Sequence, residues 1–397
     1  MTFNIKSMPL IALLFLLVNC KKDSVSPEIQ LRTSQLNDTS IVKLFIAGKD
    51  GYAAYRIPSI VTTNKQTILA FCEGRKFSLN DNGNVDIVMK RSVDGGNTWS
   101  DLYTIQNDAE NTCGNPCAVV DEKTGVIWLL STHNLGSDQE SNIINKTAKG
   151  TRTVWVSKSK DDGLTWSVPV NITKTTKDTS WGWYATGPGI GIQLKYGNKK
   201  GRLIIPCDHS YSDPNGNLAG GHYEYAAHII YSDDHGTTWK LGGSIMPKLN
   251  ESQITEMADA KGGLLINMRS YTGTGCREHA TSNTYGNTWE SPFAATALIE
   301  PVCQASILRY SWPMANQKSC ILFLNPANSS QRINMTIKAS YDEGKTWPSV
   351  KSLYSGPSGY SCMTVMSDGS IGCLYEAGIS NPNEMIIFQK MLPHIPF

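Results

Sequence analysis

An all-β fold, closed as a six-bladed β-propeller with Asp-box hairpins, is what three features of this 397-residue chain predict. An eight-residue pattern, Ser-x-Asp-x-Gly-x-Thr-Trp, recurs along it. Short strand-like runs precede the copies, and no long helical stretch rich in Leu, Ala, Glu and Lys interrupts them. Composition agrees: 40% hydrophobic and 18% charged residues can bury a core and do not describe a disordered polymer. The balance of 36 Lys+Arg against 34 Asp+Glu argues against nucleic acid as a partner, because such binders carry a basic excess or stripe. Length alone suggests two or more domains, but a closed β architecture absorbs it as one blade-built unit.

The repeat sets the architecture. Ser92-Val-Asp94-Gly-Gly96-Asn-Thr98-Trp99 recurs from Ser159 to Trp166, from Ser232 to Trp239 and from Ser340 to Trp347. A degenerate copy, Ser282 to Trp289, carries Thr284 in place of the Asp, which predicts a weaker hairpin. In this pattern the Asp accepts backbone N–H groups in a tight turn, the Gly supplies positive φ, and the Trp buries its ring. The runs Val85–Ser92 and Ala226–Ser232 lead into two copies, and further alternating runs lie at 67–71, 126–130, 202–206 and 263–268. Copies arrive roughly every 60 residues, so a body of roughly 355 residues holds about six units of several short strands each.

The first 40 residues stand apart. Lys6 opens a leader, and the apolar run Pro9–Val18 is shorter than the roughly 20 residues a membrane-spanning helix needs. Residues 1–19 therefore read as an export signal. Leu17-Val18-Asn19-Cys20 resembles a bacterial lipobox, with Asn19 departing from the usual small residue, so Cys20 is expected to carry the lipid of an exported, membrane-anchored lipoprotein. Residues 20–40 read as a polar tether and 41–397 as the propeller. Of ten cysteines, those beyond Cys20 are odd in number, so at least one is free within a single chain. Export permits disulfides, with Cys113/Cys117 or Cys362/Cys373 as possible pairs, and buried thiols are the other reading. No Cys/His spacing suggests a metal site.

Taken with Tyr55-Arg56-Ile57-Pro58, which precedes the first copy, these repeats resemble the sialidase (exo-α-neuraminidase) family over about Phe45 to Phe388. The resemblance implies hydrolysis, with retention, of terminal α-linked sialic acids on glycans. Such a substrate carries a carboxylate on its anomeric carbon, which suits guanidinium groups: they are permanently charged and present a planar fork of donors. The family's three clamping arginines match Arg56, Arg269 and Arg332, with Arg277 a rival for the middle place. The same carboxylate would repel an acidic nucleophile, and the family uses a tyrosine. Tyr360, in Gly359-Tyr-Ser-Cys-Met, matches that nucleophile, and Glu251, in Asn250-Glu-Ser-Gln, matches the acid that activates it.

Asp81, six residues after Arg75 in a polar loop, matches the general acid/base; Asp86, in a strand-like run, ranks below it. Arg75 resembles a ligand of the sugar ring, and Glu376, in Cys373-Leu-Tyr-Glu, the acid that orients the first arginine. Trp181, Trp183 and Tyr184 fit either a sugar pocket or a blade core and stay outside the expected site. No cofactor and no metal is implied; the expected partner is a sialylated glycan, with the membrane reached only through a lipid on Cys20. A trans-sialidase or intramolecular trans-sialidase would share these residues, and a non-catalytic glycan-binding propeller would share only the scaffold.

Overall fold

The chain's strands follow a regular alternation of antiparallel runs and tight turns, and they stack as six four-stranded blades around a central axis. This is a computed structural model that describes residues 1–2, 39–315 and 317–392; the leader, Cys20 and most of the tether lie outside the described residues. Blade 1 comprises Ala54–Thr62, Ile68–Arg75, Val85–Ser92 and Tyr103–Gln106, and blade 2 Thr112–Val120, Ile127–Asn134, Thr153–Ser159 and Val170–Asn171. Blade 3 has an innermost strand broken into Tyr184–Thr186 and Ile192–Gln193, between which Gly189–Ile190 pairs with Cys117 and Ala118 of blade 2, then Leu203–Ser212, Tyr223–Ser232 and Lys240–Ile245. Blade 4 runs from Leu249–Glu256 through Leu264–Ser270 and Cys276–Ser282 to Phe293–Ile299.

Blades 5 and 6 share a strand. After Ser306–Ser311, Cys320–Pro326 and Ile333–Ser340, the 17-residue strand Ser349–Val365 pairs first with Ile333–Ser340 and then, from Ser358 on, with Ile371–Ala377. Met385–Met391 follows, and the fourth strand of blade 6 is Thr39–Ile46 from the other end of the described chain. That closure explains five hairpin repeats in six blades. Each repeat joins the third strand of a blade to its fourth, and in blade 6 that connection is not made by the chain.

The repeats perform as their residue types dictate, and they also join blades. Asp94 Oδ1 accepts the Thr98 N–H at 2.9 Å and its Oδ2 the Thr98 hydroxyl at 2.6 Å, while Ser92 Oγ accepts the Gly96 N–H at 2.9 Å. In the degenerate copy Thr284 Oγ1 accepts the Thr288 N–H at 2.8 Å, so the turn survives without its carboxylate. The Trp rings reach sideways: Trp99 of blade 1 packs edge-on to Phe388 of blade 6, Trp166 of blade 2 to Phe71 of blade 1, and Trp239 of blade 3 to Trp128 of blade 2. The glycine takes part as well. At Gly236, with φ of 84°, a Cβ would stand 2.1 Å from the Trp128 ring.

Both cysteine pairings are corrected by the register. Cys113 and Cys117 lie on one strand, and Cys373 sits opposite Met363, so it and Cys362 point to opposite faces. All nine described cysteines are buried free thiols. Among the described residues no helix is long and apolar enough to cross a membrane.

The fit of each turn against the neighbouring blade predicts a contrast between two glycines. Gly236→Ala should destabilise by ~1–3 kcal/mol beyond its backbone strain, whereas Gly48→Ala, at a similar φ of 78° with nothing within 4 Å, should show the strain alone. Equal shifts in denaturant unfolding would contradict the inter-blade role.

Candidate active site

Antiparallel strands bring the starts of first strands, the ends of second strands and the starts of third strands to one end of the propeller. The Asp-box turns follow the ends of third strands and so occupy the opposite end. At the first end lies a cavity of about 280 Å³, lined by Arg56, Arg75, Asp81, Glu251, Arg269, Arg332 and Tyr360 among others. Glu376 stands immediately behind it, bonded to Arg56. All eight residues singled out from the sequence therefore meet at one place.

The innermost strands are bulged where they supply the cavity. Register shifts fall between Arg56 and Ser59, Gly114 and Cys117, Leu249 and Ser252, and Ser358 and Ser361. Each brackets or adjoins a lining residue: Arg56, Asn115, Glu251 and Tyr360. Bulges re-aim side chains that a regular pleat would send to alternate faces. The most strained is at Ile57, a β-branched residue with φ of 62°. Its N–H is held by Glu376 Oε1 at 3.0 Å.

Tyr360 is the centre. Its hydroxyl donates to Glu251 Oε1 at 2.5 Å and accepts from Arg269 Nη1 at 3.2 Å. The guanidinium carbons of Arg56 and Arg332 lie 4.9 and 5.5 Å from its ring centroid. Burial, and then the Glu251 charge, push the phenol's pKa well above its ordinary value, against the pull of the three arginines. The phenol keeps its proton at rest, hydrogen-bonded to a carboxylate.

Each arginine has its own restraint. Arg56 donates from Nε and Nη2 to the two oxygens of Glu376 at 3.1 and 3.2 Å. Glu376 also accepts the Tyr360 N–H at 3.0 Å, and a Cβ on Gly359 would stand 2.3 Å from its Oε2, so the glycine makes room for it. Burial would raise the pKa of Glu376, but Arg56 and these bonds hold it below the ordinary range. Arg269 Nη1 pairs with Glu251 Oε2 at 2.7 Å, and Arg332 Nη2 reaches the Val302 carbonyl at 3.4 Å.

The rival Arg277 is excluded from the cavity. Fully buried, it donates to Asn267 Oδ1, Glu300 Oε2 and the Cys303 carbonyl at 2.6–2.7 Å and braces the wall behind Glu251. Asp86 is likewise internal, accepting from Tyr52 and Asn107 at 2.6 Å.

Asp81 sits at the mouth with its side chain 60% exposed, 2.7 Å from Arg75 Nη2. Burial would raise its pKa, yet Arg75 and then Arg56 outweigh that and hold it below the usual aspartate value. Arg75 is itself fixed by Glu73 at 2.7 Å and by the Leu79 carbonyl.

Several lining residues went unread in the sequence. Glu73 accepts the Asn115 N–H at 2.8 Å, and its place two residues before Arg75 on one strand was a usable signal. Arg152 is buried with its guanidinium carbon 3.9 Å above the Trp183 ring, which places Trp183 in the cavity wall. Trp181 instead stacks on His209 at 3.4 Å, and Tyr184 is buried in the core. The far wall carries Glu140, which accepts from the Tyr225 hydroxyl at 2.6 Å, and Asp208, which accepts from Asn250 at 3.0 Å. Burial raises the pKa of both acids, and Asp208 Oδ2 is buried without a hydrogen-bond partner. The cavity is thus polar end to end, cationic around Tyr360 and acidic opposite.

Known proteins resemble the chain in sequence and fold. The model of the BNR repeat-like domain family matches residues 66–373. A sialidase of Bacteroides fragilis is 34% identical over 355 residues, covering 84% of this chain and 62% of that protein. A sialidase of Micromonospora viridifaciens is 32% identical over 354 residues, covering 84% and 52%.

The chain belongs to the sialidase family.

Among solved structures, a "Hadza microbial sialidase" superposes with a TM-score of 0.74 at 32% identity, covering 87% of this chain and 67% of that one. This sialidase-family chain spans only about half to two thirds of the bacterial relatives' length.

Glu376 makes the clamp's anchoring measurable. With its pKa depressed in the fold, its contribution is present above the ordinary glutamate range and is lost as pH falls through the lowered value. Glu376→Gln should therefore lower the melting temperature at neutral pH, and the difference from wild type should shrink on acidification. A difference that grows in acid would contradict the assignment.

Proposed function

We propose that the chain is a retaining exo-α-sialidase that releases terminal sialic acids from glycans through a covalent tyrosyl intermediate. The observation that carries this reading is the Tyr360 hydroxyl, 2.5 Å from Glu251 and surrounded by Arg56, Arg269 and Arg332. Three cations around a neutral nucleophile suit an electrophile that bears its own carboxylate. The arginines take the carboxylate, and the anomeric carbon beside it comes to rest at the phenol oxygen.

The chemistry then follows from proton positions. Tyr360 Oη forms a bond to the anomeric carbon while its proton passes to Glu251. The bond from that carbon to the glycosidic oxygen breaks, and Asp81 supplies the proton that the departing oxygen takes. In the second half Asp81, now a carboxylate, removes a proton from water, the water oxygen displaces Tyr360, and Glu251 returns the phenol's proton. Two inversions give net retention. The clamp binds ground and transition states alike, so rate enhancement rests on Tyr360, Glu251 and Asp81.

Proton NMR of the first product tests the reading: the α anomer should appear first, and Tyr360→Phe should lose at least ~10³-fold in kcat. Release of the β anomer first, or a fully active Phe variant, would overturn it.

The low pKa of Asp81 makes a second prediction. Free enzyme at neutral pH holds Asp81 ionised, so kcat/KM for unactivated glycosides should begin to fall as pH rises through a value below the ordinary aspartate one and keep falling toward neutrality. Asp81→Ala should cost ~10²–10⁴-fold on such glycosides and far less on aryl sialosides, whose leaving group departs without a proton. Equal losses on both substrate types would remove Asp81 from the acid role.

A further inference from the structure

Behind the wall formed by Arg152 and Trp183 lies a buried lysine to which the chemistry above gives no part. Lys177 ends the short helix Thr173–Thr176, in the connection between blades 2 and 3. Its Nζ donates to Thr151 Oγ1 at 2.7 Å, to the Arg152 carbonyl at 2.7 Å and to the Gly182 carbonyl at 2.6 Å. An ammonium has three donors, and here each has its own acceptor. All three acceptors are neutral, a costly setting for a cation taken out of water.

The two carbonyls belong to the backbone that carries the wall. Arg152 stands just before the third strand of blade 2, and its guanidinium donates to Thr132 Oγ1 at 3.0 Å, Asn134 Oδ1 at 2.8 Å and Asn115 Oδ1 at 2.5 Å. Trp183 follows Gly182 and leads into the innermost strand of blade 3, with its ring centroid 3.9 Å from that guanidinium. Asn115, Arg152 and Trp183 all line the cavity. One side chain thus bonds the backbones of two blades directly behind the residues they present.

We propose that Lys177 is a positioning residue: it sets Arg152, and through it Asn115, against Trp183, and so governs how tightly the cavity holds its sugar without touching the sugar. This role rests on the sialidase reading, which supplies the identity of that sugar. The Arg152 hydrogen bonds go to Thr132, Asn134 and Asn115 rather than to Tyr360, Glu251 or Asp81. A disturbed wall therefore acts on affinity and leaves the bond-breaking step in place.

The link also depends on a proton. Burial, and then the like charges of Arg152 and Lys146, bring the Lys177 pKa down to about 7. The nearby rings of His209 and His228 are kept neutral by burial, and Asp178 turns its Oδ1 to the Ser180 N–H and hydroxyl. As an amine, Lys177 has two donors and a lone pair for three acceptors, so one acceptor is released. Stability moves the other way. A lysine whose pKa is lowered on folding adds stability as pH rises through that value, because the unfolded chain keeps its proton to higher pH. Affinity and stability are thus opposed in their pH dependence, which a merely structural lysine would not produce.

Calorimetric binding of the 2,3-unsaturated derivative of sialic acid to the full chain, with melting temperatures alongside, tests this between about pH 6 and about pH 8, where Asp81 stays ionised. Wild type should lose affinity at least ~threefold as pH rises through about 7. Lys177→Met should bind at least ~threefold more weakly than wild type at about pH 6, show no such pH dependence, and keep kcat on an aryl sialoside within about twofold. Over the same range wild type should gain in melting temperature relative to Lys177→Met. Should the Met variant fail to fold, Thr151→Ala, which removes one acceptor of the ammonium, should move the affinity midpoint to lower pH. A flat wild-type affinity, a folded Met variant that binds like wild type at the acid end, or a midpoint unmoved in Thr151→Ala would overturn the proposal. So would a kcat that falls as far as the affinity in Lys177→Met, since Lys177 would then act on the chemistry. If the unsaturated sugar binds at no pH, the sialidase reading falls and this role with it.

Discussion

Holding three guanidiniums around one buried phenol is the constraint on which the rest of the structure depends. Like charges brought together out of water repel, and each loses hydration. Here each has its own compensating partner: Arg56 takes both oxygens of Glu376, Arg269 takes Glu251, and Arg332 turns toward the Val302 carbonyl. Glu376 goes further by accepting the N–H groups of Ile57 and Tyr360, so one carboxylate fixes a cation and two strands of blades 1 and 6. The strained Ile57 backbone and the absence of a side chain at Gly359 both serve that carboxylate. The cluster is therefore attractive only to something that brings a negative charge of its own.

The propeller separates stability from chemistry. At one end, five hairpins with their Trp rings and close-fitting glycines join each blade to a neighbour, and the N-terminal strand completes the last blade. At the other, bulged inner strands can accept irregular backbone because the blades are already held. The axis makes residues distant in sequence into neighbours, as with Glu251 and Tyr360, which are hydrogen-bonded across 109 positions.

How much of this was legible in the sequence follows from what each residue answers to. The hairpins were readable because Asp, Gly and Trp are demanded by the local turn, and Thr284 shows the limit, since a hydroxyl keeps the backbone contact that the missing carboxylate would have made. The joining of blades by those Trp rings was not readable, because it depends on a neighbouring blade. Arg56, Arg269, Arg332, Glu251 and Tyr360 stood out only through resemblance to a family; nothing local distinguishes Arg269 from Arg277, which strand register sends into the wall. Asn115, Glu140 and Asp208 reach the cavity by a bulge, a short helix and a blade end that leave no pattern. The cysteine pairs failed for a similar reason: proximity in sequence or on neighbouring strands does not put two thiols on one face.

The most direct measurement of the central claim is calorimetric binding of the 2,3-unsaturated derivative of sialic acid and of its methyl ester. If the arginine cluster grips the carboxylate, the free acid should bind at least ~100-fold more tightly than the ester, the loss expected when a charge-assisted contact of a few kcal/mol is removed. Equal affinities would show that the guanidiniums around Tyr360 are not there to hold an acidic sugar.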